Sequence, residues 1–119
     1  METKANLIEK LASFDDHWAP RIVATLNDYN ILLVKVESEF VWHQHDQTDD
    51  LFLVLKGHLT LQLRDRNVEL DEGELFVVPR GVEHCPRADH EAWLLVIEPE
   101  ATPNTGDAGG PRTTEPTRI

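Results

Sequence analysis

Short stretches of alternating apolar and polar residues, separated by residues that favour turns, run through most of this chain. In residues 59–63, leucines at every second position alternate with Thr60 and Gln62. This period of two is typical of a β-strand that buries one face. Glycine, proline, asparagine and aspartate recur between such stretches at intervals of about 8 to 12 residues, which indicates an all-β sandwich or barrel. We therefore predict one antiparallel all-β barrel over residues 21–98.

The two ends of the chain depart from this pattern. Residues 1–20 mix apolar and polar positions up to Pro20, which would end a helix, so we predict a short helix or an irregular lead-in there. Residues 99–119 contain four prolines, three glycines and five threonines. That composition predicts a tail outside the sheet, either mobile or wrapped over the surface.

Composition limits the partners and the compartment. Among 119 residues, 22 acids against 11 bases give a net charge of −11. Nucleic-acid binding needs a basic footprint and anionic membranes attract basic segments, so we expect neither partner. No apolar run approaches the roughly 20 residues of a membrane span, and residues 1–10 lack a signal-peptide core. Cys85 is the single cysteine, so no intrachain disulfide can form and we expect a cytoplasmic protein.

Three histidines and an aspartate are the candidate metal ligands. His43 and His45 are two residues apart, so on a strand their imidazoles project to one face and could share an ion. Asp50 follows at the head of the next apolar stretch, and His84 opens a later strand. Three imidazoles and one carboxylate suit a first-row transition metal. A His-x-His pair alone is more often a pair of surface or structural histidines, so the surrounding spacing decides.

That spacing resembles the first conserved motif of the cupin superfamily. The motif is His-x-His, three or four residues, Glu, six residues and Gly. The chain has His43 and His45, then four residues, Asp50, six residues and Gly57.

The second cupin motif has a counterpart as well. It runs Gly, five residues, Pro-x-Gly, two residues, His, three residues and Asn. The chain has Gly73, Pro79, Gly81 and His84 at these intervals, with Ala88 in place of Asn. The resemblance spans roughly residues 30 to 98 and identifies a small single-domain cupin.

The resemblance implies a double-stranded β-helix, or jelly-roll barrel, whose lumen holds one divalent transition metal ion. Fe, Mn, Co, Ni, Cu and Zn all suit a histidine-rich site, and spacing does not choose among them. The implied ligands are His43, His45, Asp50 and His84. Asp50 is one methylene shorter than the usual Glu, so it could bind directly, through a water or not at all. Asp49 is the other candidate carboxylate.

The resemblance also implies a homodimer, which agrees with aromatic residues that one small barrel can scarcely cover. We expect Trp42 and Trp93 near the interface; the alternative is intramolecular cover by residues 6–20. Inside the barrel, we expect an apolar pocket around the site. The residues predicted to line it, or to neighbour those that do, are Val41, Phe52, Val54, Val77 and Leu95.

Three functions are consistent with such a site. The first is a metal-dependent enzyme, an isomerase or a dioxygenase, that acts on a small oxygenated molecule. The second is a non-catalytic sensor or storage barrel that binds a small molecule, and the third is a structural dimer whose site has decayed at Asp50. A sugar-phosphate isomerase would need a basic clamp, for which Arg64, Arg80 and Arg87 are the candidates. No catalytic residue is assigned.

The other reactive side chains are weaker candidates. Cys85 follows His84 directly, so on a strand the two face apart and a nucleophilic dyad is disfavoured. We expect His17, His58 and His90 to be solvated.

Overall fold

The computed structural model describes residues 3–119, most of which lie in strands and their connecting turns. Within these residues there is one helix, and none that is long and apolar enough to cross a membrane. The elements are α1 Leu7–Leu11, β1 Arg21–Leu26, β2 Tyr29–Glu39, β3 Asp50–Lys56, β4 Leu59–Leu63, β5 Asn67–Leu70, β6 Leu75–Val78, β7 His84–Pro99 and β8 Thr117–Arg118.

Strand β7 is the centre of the sheet. It pairs with β2 from Tyr29↔Pro99 to Glu39↔Arg87, with β4 near its own start and with β3 near its own end. β3 also pairs with β6, and β4 with β5, and all of these pairs are antiparallel. Buried side chains from six strands, β2 to β7, meet in one interior cluster. The predicted all-β barrel is therefore confirmed.

Strand alternation separates this interior from an outer face. Phe52, Leu94 and Val96 are buried in the interior cluster. Leu95 points the other way and packs in the outer cluster, and Val77 is 42% exposed. For Leu95 the neighbours Leu94 and Val96 line the pocket, as the prediction allowed. For Val77 neither the residue nor its neighbours Phe76 and Val78 do so, and the prediction is wrong there. A shift of one residue along a strand exchanges its faces, and the apolar runs in β6 and β7 carry no alternation that would reveal it.

Residues 6–14 cover part of the outer face. Helix α1 begins after Asn6, whose side-chain oxygen accepts a hydrogen bond from the amide of Glu9 at 3.1 Å. This N-cap satisfies one of the free amides of the first turn. Leu11 and Phe14 are buried against Leu33 of β2 in the outer cluster. Intramolecular cover, which the sequence offered as the alternative to a dimer interface, is therefore present on this face.

The segment after β7, which we call the C-terminal arm (residues 100–119), lies along the barrel. Its last strand, β8, adds in parallel to the edge strand β1, with Arg21 opposite Thr117. The expectation that the tail lies outside the sheet is wrong at the two residues of β8, Thr117 and Arg118. They pair with β1 because its free edge offers unpaired backbone groups. Thr105 of the arm is fully buried. Of the two alternatives for the tail, the structure has the wrapped one.

Candidate metal centre

The three predicted histidine ligands meet where the segment before β3 lies beside the start of β7. His43 and His84 form an antiparallel bridge, in which each amide donates to the other residue's carbonyl oxygen, at 3.0 and 2.9 Å. The ring centroid of His43 lies 4.3 Å from that of His84 and 5.1 Å from that of His45. One ring nitrogen from each residue lies within 4.8 Å of the other two, and all three residues are buried.

Backbone carbonyls orient two of these rings. Nδ1 of His43 lies 2.9 Å from the carbonyl oxygen of Val41, and Nδ1 of His84 lies 2.9 Å from that of Val82. A carbonyl oxygen only accepts, so each Nδ1 carries the proton and each Nε2 keeps its lone pair. Among the described residues, Nε2 of His84 is buried with no hydrogen-bond partner. A free Nε2 lone pair on a ring oriented through Nδ1–H is the arrangement that metal-binding histidines use, so these residues fit a transition metal ion.

Burial also keeps the rings of His43 and His84 neutral. It is the largest cause that lowers the pKa of His43 to about 4, and the neighbouring His84 lowers that pKa further. Burial likewise lowers the pKa of His84. Because a metal binds the neutral imidazole, the site is ready for a cation at neutral pH without first losing a proton.

The lowered pKa of His43 predicts an acid-sensitive metal-free protein. The unfolded chain binds this proton near pH 6.5 and the folded chain only near pH 4. The unfolded state therefore holds more protons between these values, and the free energy of unfolding falls by about 3 kcal/mol as the pH drops through that window. Urea unfolding with chelator at about pH 7.5 and about pH 4.5 measures this change. We expect His43→Asn to flatten the dependence and the exposed His90→Asn to leave it; equal slopes in both variants would contradict the assignment.

Asp50, the fourth predicted ligand, is buried beside one of the histidines. Its Oδ2 lies 3.4 Å from Nε2 of His45. Within residues 3–119 its Oδ1 is buried and receives no hydrogen bond. The alternative carboxylate, Asp49, is exposed and accepts from the backbone amide of Arg80 at 2.9 Å. Asp50 is thus the carboxylate that faces the histidines, while Asp49 fastens the turn before His84.

Glu98 is a buried carboxyl that the sequence analysis missed. It belongs to a second cluster with His45 and Asp50, in which the ligand atoms lie within 4.8 Å of one another. Burial raises the pKa of Glu98 well above its usual range, and the charge of Asp50 and a hydrogen bond with that residue raise it further. A proton on Glu98 gives Asp50 a donor that its surroundings otherwise lack. Glu98 lies on the same face of β7 as the buried Leu94 and Val96, but the unbroken apolar run gives no sequence signal that this face is the inner one.

A cavity of about 60 Å³ adjoins this group. Its polar lining consists of His43, Asp50, Glu98 and Asn104, and the remainder is apolar or aromatic. The apolar side chains are those of Trp18, Pro20, Leu32, Val34, Val36, Phe40, Phe52, Pro86, Leu94 and Val96. The predicted apolar pocket beside the histidines is therefore present.

The C-terminal arm holds the segment that carries two of the histidines. The amide of Asp107 donates to the carbonyl oxygen of Gln44 at 3.1 Å, and the amide of Gln44 donates to Oδ1 of Asp107 at 2.9 Å. Gln44 lies between His43 and His45, so this reciprocal pair fixes the backbone from which both rings project. The arm is part of the framework of the site.

The weaker candidates lie apart from the site. His17, His58 and His90 are exposed, as expected. Burial is the largest cause that raises the pKa of the Cys85 thiol to about 11, so this cysteine stays a thiol and lacks the character of an activated nucleophile.

A β-barrel with a buried histidine cluster at its interior defines the structural class, and the comparisons identify the family. The model of the cupin domain matches residues 30–98, more than half of the chain. The chain therefore belongs to the cupin family, as its two motifs indicated. A solved cupin-2 domain protein from Shewanella frigidimarina is 48% identical, with a TM-score of 0.80 over 81% of this chain and 94% of that one. The jelly-roll cupin fold is thereby confirmed.

Two curated relatives are similar in different ways. The protein YdbB of Bacillus subtilis is 27% identical over 99 residues, which cover 82% of this chain and 88% of the relative. The 3-hydroxyanthranilate 3,4-dioxygenase of Xanthomonas euvesicatoria is 32% identical over 69 residues, which cover 55% of this chain and 39% of the enzyme. The aligned part thus spans about two-fifths of that dioxygenase.

Proposed function

We propose that this cupin is a metal-dependent enzyme of the dioxygenase type that acts on a small oxygenated molecule. The observation that carries the proposal is a cluster of three buried imidazoles beside an apolar cavity that also contains two carboxyls. The similarity to 3-hydroxyanthranilate 3,4-dioxygenases supports the choice of reaction.

The residues of the chain would divide the work. His43, His45 and His84 would hold the ion, and Asp50 would complete the set directly or through a water. When bound, a divalent ion would supply Lewis acidity and, if it were iron, a redox-active centre for a substrate with neighbouring oxygen atoms. Glu98 would carry a proton beside Asp50, because burial raises the pKa of Glu98, and this proton would lie next to where a substrate hydroxyl enters. The apolar walls would limit the access of water to it.

An isomerase of sugar phosphates is less well supported. Arg64, Arg80 and Arg87 each form an ion pair with an exposed carboxylate, at 3.2 to 3.7 Å. No lysine or arginine among the described residues lines the cavity. A phosphate bound there would lack the cation that its recognition normally requires.

Oxygen uptake tests the proposal. The protein is purified without a histidine tag, its metal content is measured, and it is loaded in turn with each of the six candidate metals. We expect oxygen consumption with one redox-active metal and a small diol, enol or aminophenol, which the His84→Gln variant loses. Ligand binding without oxygen uptake for any metal would instead favour the non-catalytic sensor or storage barrel.

We further propose that the protein is a homodimer, formed through the outer face of β3 and β6. Leu75 and Val77 of β6 are 55% and 42% exposed, and they lie in register with the partly buried Leu53 and Leu51. Such a patch favours a second copy. The tryptophans expected near the interface have partners within the chain: the Arg64 guanidinium lies 3.8 Å from the Trp42 ring centroid, and two lysines lie over Trp93.

Light scattering tests this dimer. We expect a mass of twice 13.6 kDa at micromolar concentration, because separation would expose the β3–β6 patch to water. Val77→Lys should give the monomer mass, whereas Glu72→Lys, on an exposed turn, should stay dimeric. A wild-type mass near 13.6 kDa would contradict the proposal.

A further inference from the structure

The polar groups of the cavity are neighbours, and its other walls are apolar. Asp50 and Glu98, which we call the acid pair, lie beside the histidine cluster. Asn104 also lines the cavity, but its side chain already forms hydrogen bonds within the arm. Its Nδ2 donates to the carbonyl oxygen of Arg112 at 2.9 Å, and its Oδ1 accepts from the amide of Thr114 at 3.0 Å. A ligand therefore meets polar partners mainly at the acid pair and His43.

Among the described residues, the acid pair contains one buried oxygen that accepts no hydrogen bond, Oδ1 of Asp50. Asp50 is 4% exposed and lines the cavity. Glu98 is 7% exposed and lines the same cavity. Buried acceptors of this kind are stabilised by a ligand that brings O–H or N–H groups.

The remaining walls are unsuited to an ionised group. The cation of the arm, Arg112, lies 5.7 Å from the ring centroid of Trp18 and 5.9 Å from that of Phe40, and it does not line the cavity. A carboxylate on the body of a ligand would lose its water against apolar side chains and gain no buried cation. That desolvation opposes binding even when the other end of the ligand fits well.

We propose that this cavity selects a small molecule with two neighbouring hydrogen-bond donors at one end and an uncharged body, and discriminates against the same molecule when its body carries a carboxylate. The inference rests on the proposed function only in taking this cavity as the substrate site. The cavity volume of about 60 Å³ favours a small occupant.

Two matched pairs of probes test the selection. Propane-1,2-diol has a methyl group where glycerate has a carboxylate. In the second pair, 2-aminophenol has a hydrogen where 3-hydroxyanthranilate has a carboxylate. Binding to the zinc-loaded protein is measured by calorimetry. In one pair we expect the uncharged member to bind at least about tenfold more tightly than the charged member. In the other pair the charged member should not bind more tightly than the uncharged one. Equal or tighter binding of the charged members overturns the inference, as does failure of all four to bind.

Variants separate the acid pair from the arm. We expect Glu98→Leu to weaken the uncharged probe by at least about tenfold and Glu98→Gln, which keeps its hydrogen bonds, to stay near wild type. Glu72→Leu is the surface control. Arg112→Gln should leave the ratio within each pair unchanged; a large loss of the charged probe would show that Arg112 is an anion clamp and overturn the inference. Metal content is measured in every sample. If protein without metal selects among the probes in the same way, the inference about the cavity stands and only the proposed metal-dependent function is contradicted.

Discussion

Replacing His84 by alanine is expected to remove most of the bound metal, with a loss of affinity of at least about 100-fold. His84 is fully buried, its Nε2 is free, and its ring lies against that of His43. Two imidazoles and an aspartate of short reach leave too few ligands for a stable site. The backbone bridge to His43 involves only main-chain atoms, so the alanine variant keeps it.

Metal content after reloading, together with a competition titration against a chelator, measures this loss. His84→Gln fills most of the vacated volume and guards against a trivial loss of folding, which circular dichroism monitors. His90→Ala, at an exposed position of the same strand, is the matched control and should bind like wild type. Full metal content in the folded His84→Gln variant would show that the cluster is a packed polar core and not a metal site.

Asp50→Ala separates the remaining alternatives for the carboxylate. A loss as large as that of His84→Ala indicates a direct ligand, and a clearly smaller loss indicates contact through a water. The structure places Asp50 next to His45, so both results are compatible with its position.

Local rules were sufficient to predict the barrel and the shared face of His43 and His45, and the resemblance to cupins implied that His84 meets them. Alternation along strands gives the faces of β4, and the fixed spacing of the two motifs places His43 and His84 on chain segments that the fold brings together. The strand faces require no knowledge of which strand lies opposite which, whereas the meeting of His84 with His43 depends on the topology that the family implies. The spacing of the first motif also pointed to Asp50 rather than Asp49, and Asp50 is the one that lies beside His45.

The features that sequence could not supply depend on pairing between distant strands. Leu95 and Val77 lie in unbroken apolar runs, where the face cannot be assigned without the register. Glu98 reads as the polar end of such a run, and only the pairing of β7 with β2 and β3 shows that it turns inward. The arm has the composition of a mobile tail, yet the reciprocal hydrogen bonds between Asp107 and Gln44 hold it in place.

That contact makes Gly106 the position in the arm where a single methyl group should matter most. Gly106 has φ of +54°, and a Cβ added there would overlap the carbonyl oxygen of Gln44 and lie 3.0 Å from Cδ2 of His43. Backbone atoms of the histidine segment cannot rotate away as a side chain can, so the arm would have to lift. We expect Gly106→Ala to lower the free energy of unfolding by about 2 to 4 kcal/mol, the sum of backbone strain and lost contacts.

Gly109→Ala is the matched control, because Gly109 has φ of +63° and an added Cβ there would meet no atom within 4 Å. It carries the same kind of backbone strain, of about 1 to 2 kcal/mol, without the collision. Urea unfolding of both variants therefore isolates the contact between the arm and the histidine segment. Metal affinity should fall in Gly106→Ala and stay unchanged in Gly109→Ala, since only the first disturbs the backbone that carries His43 and His45. Equal effects of the two substitutions on stability and on metal affinity would show that the arm covers the barrel without supporting the site.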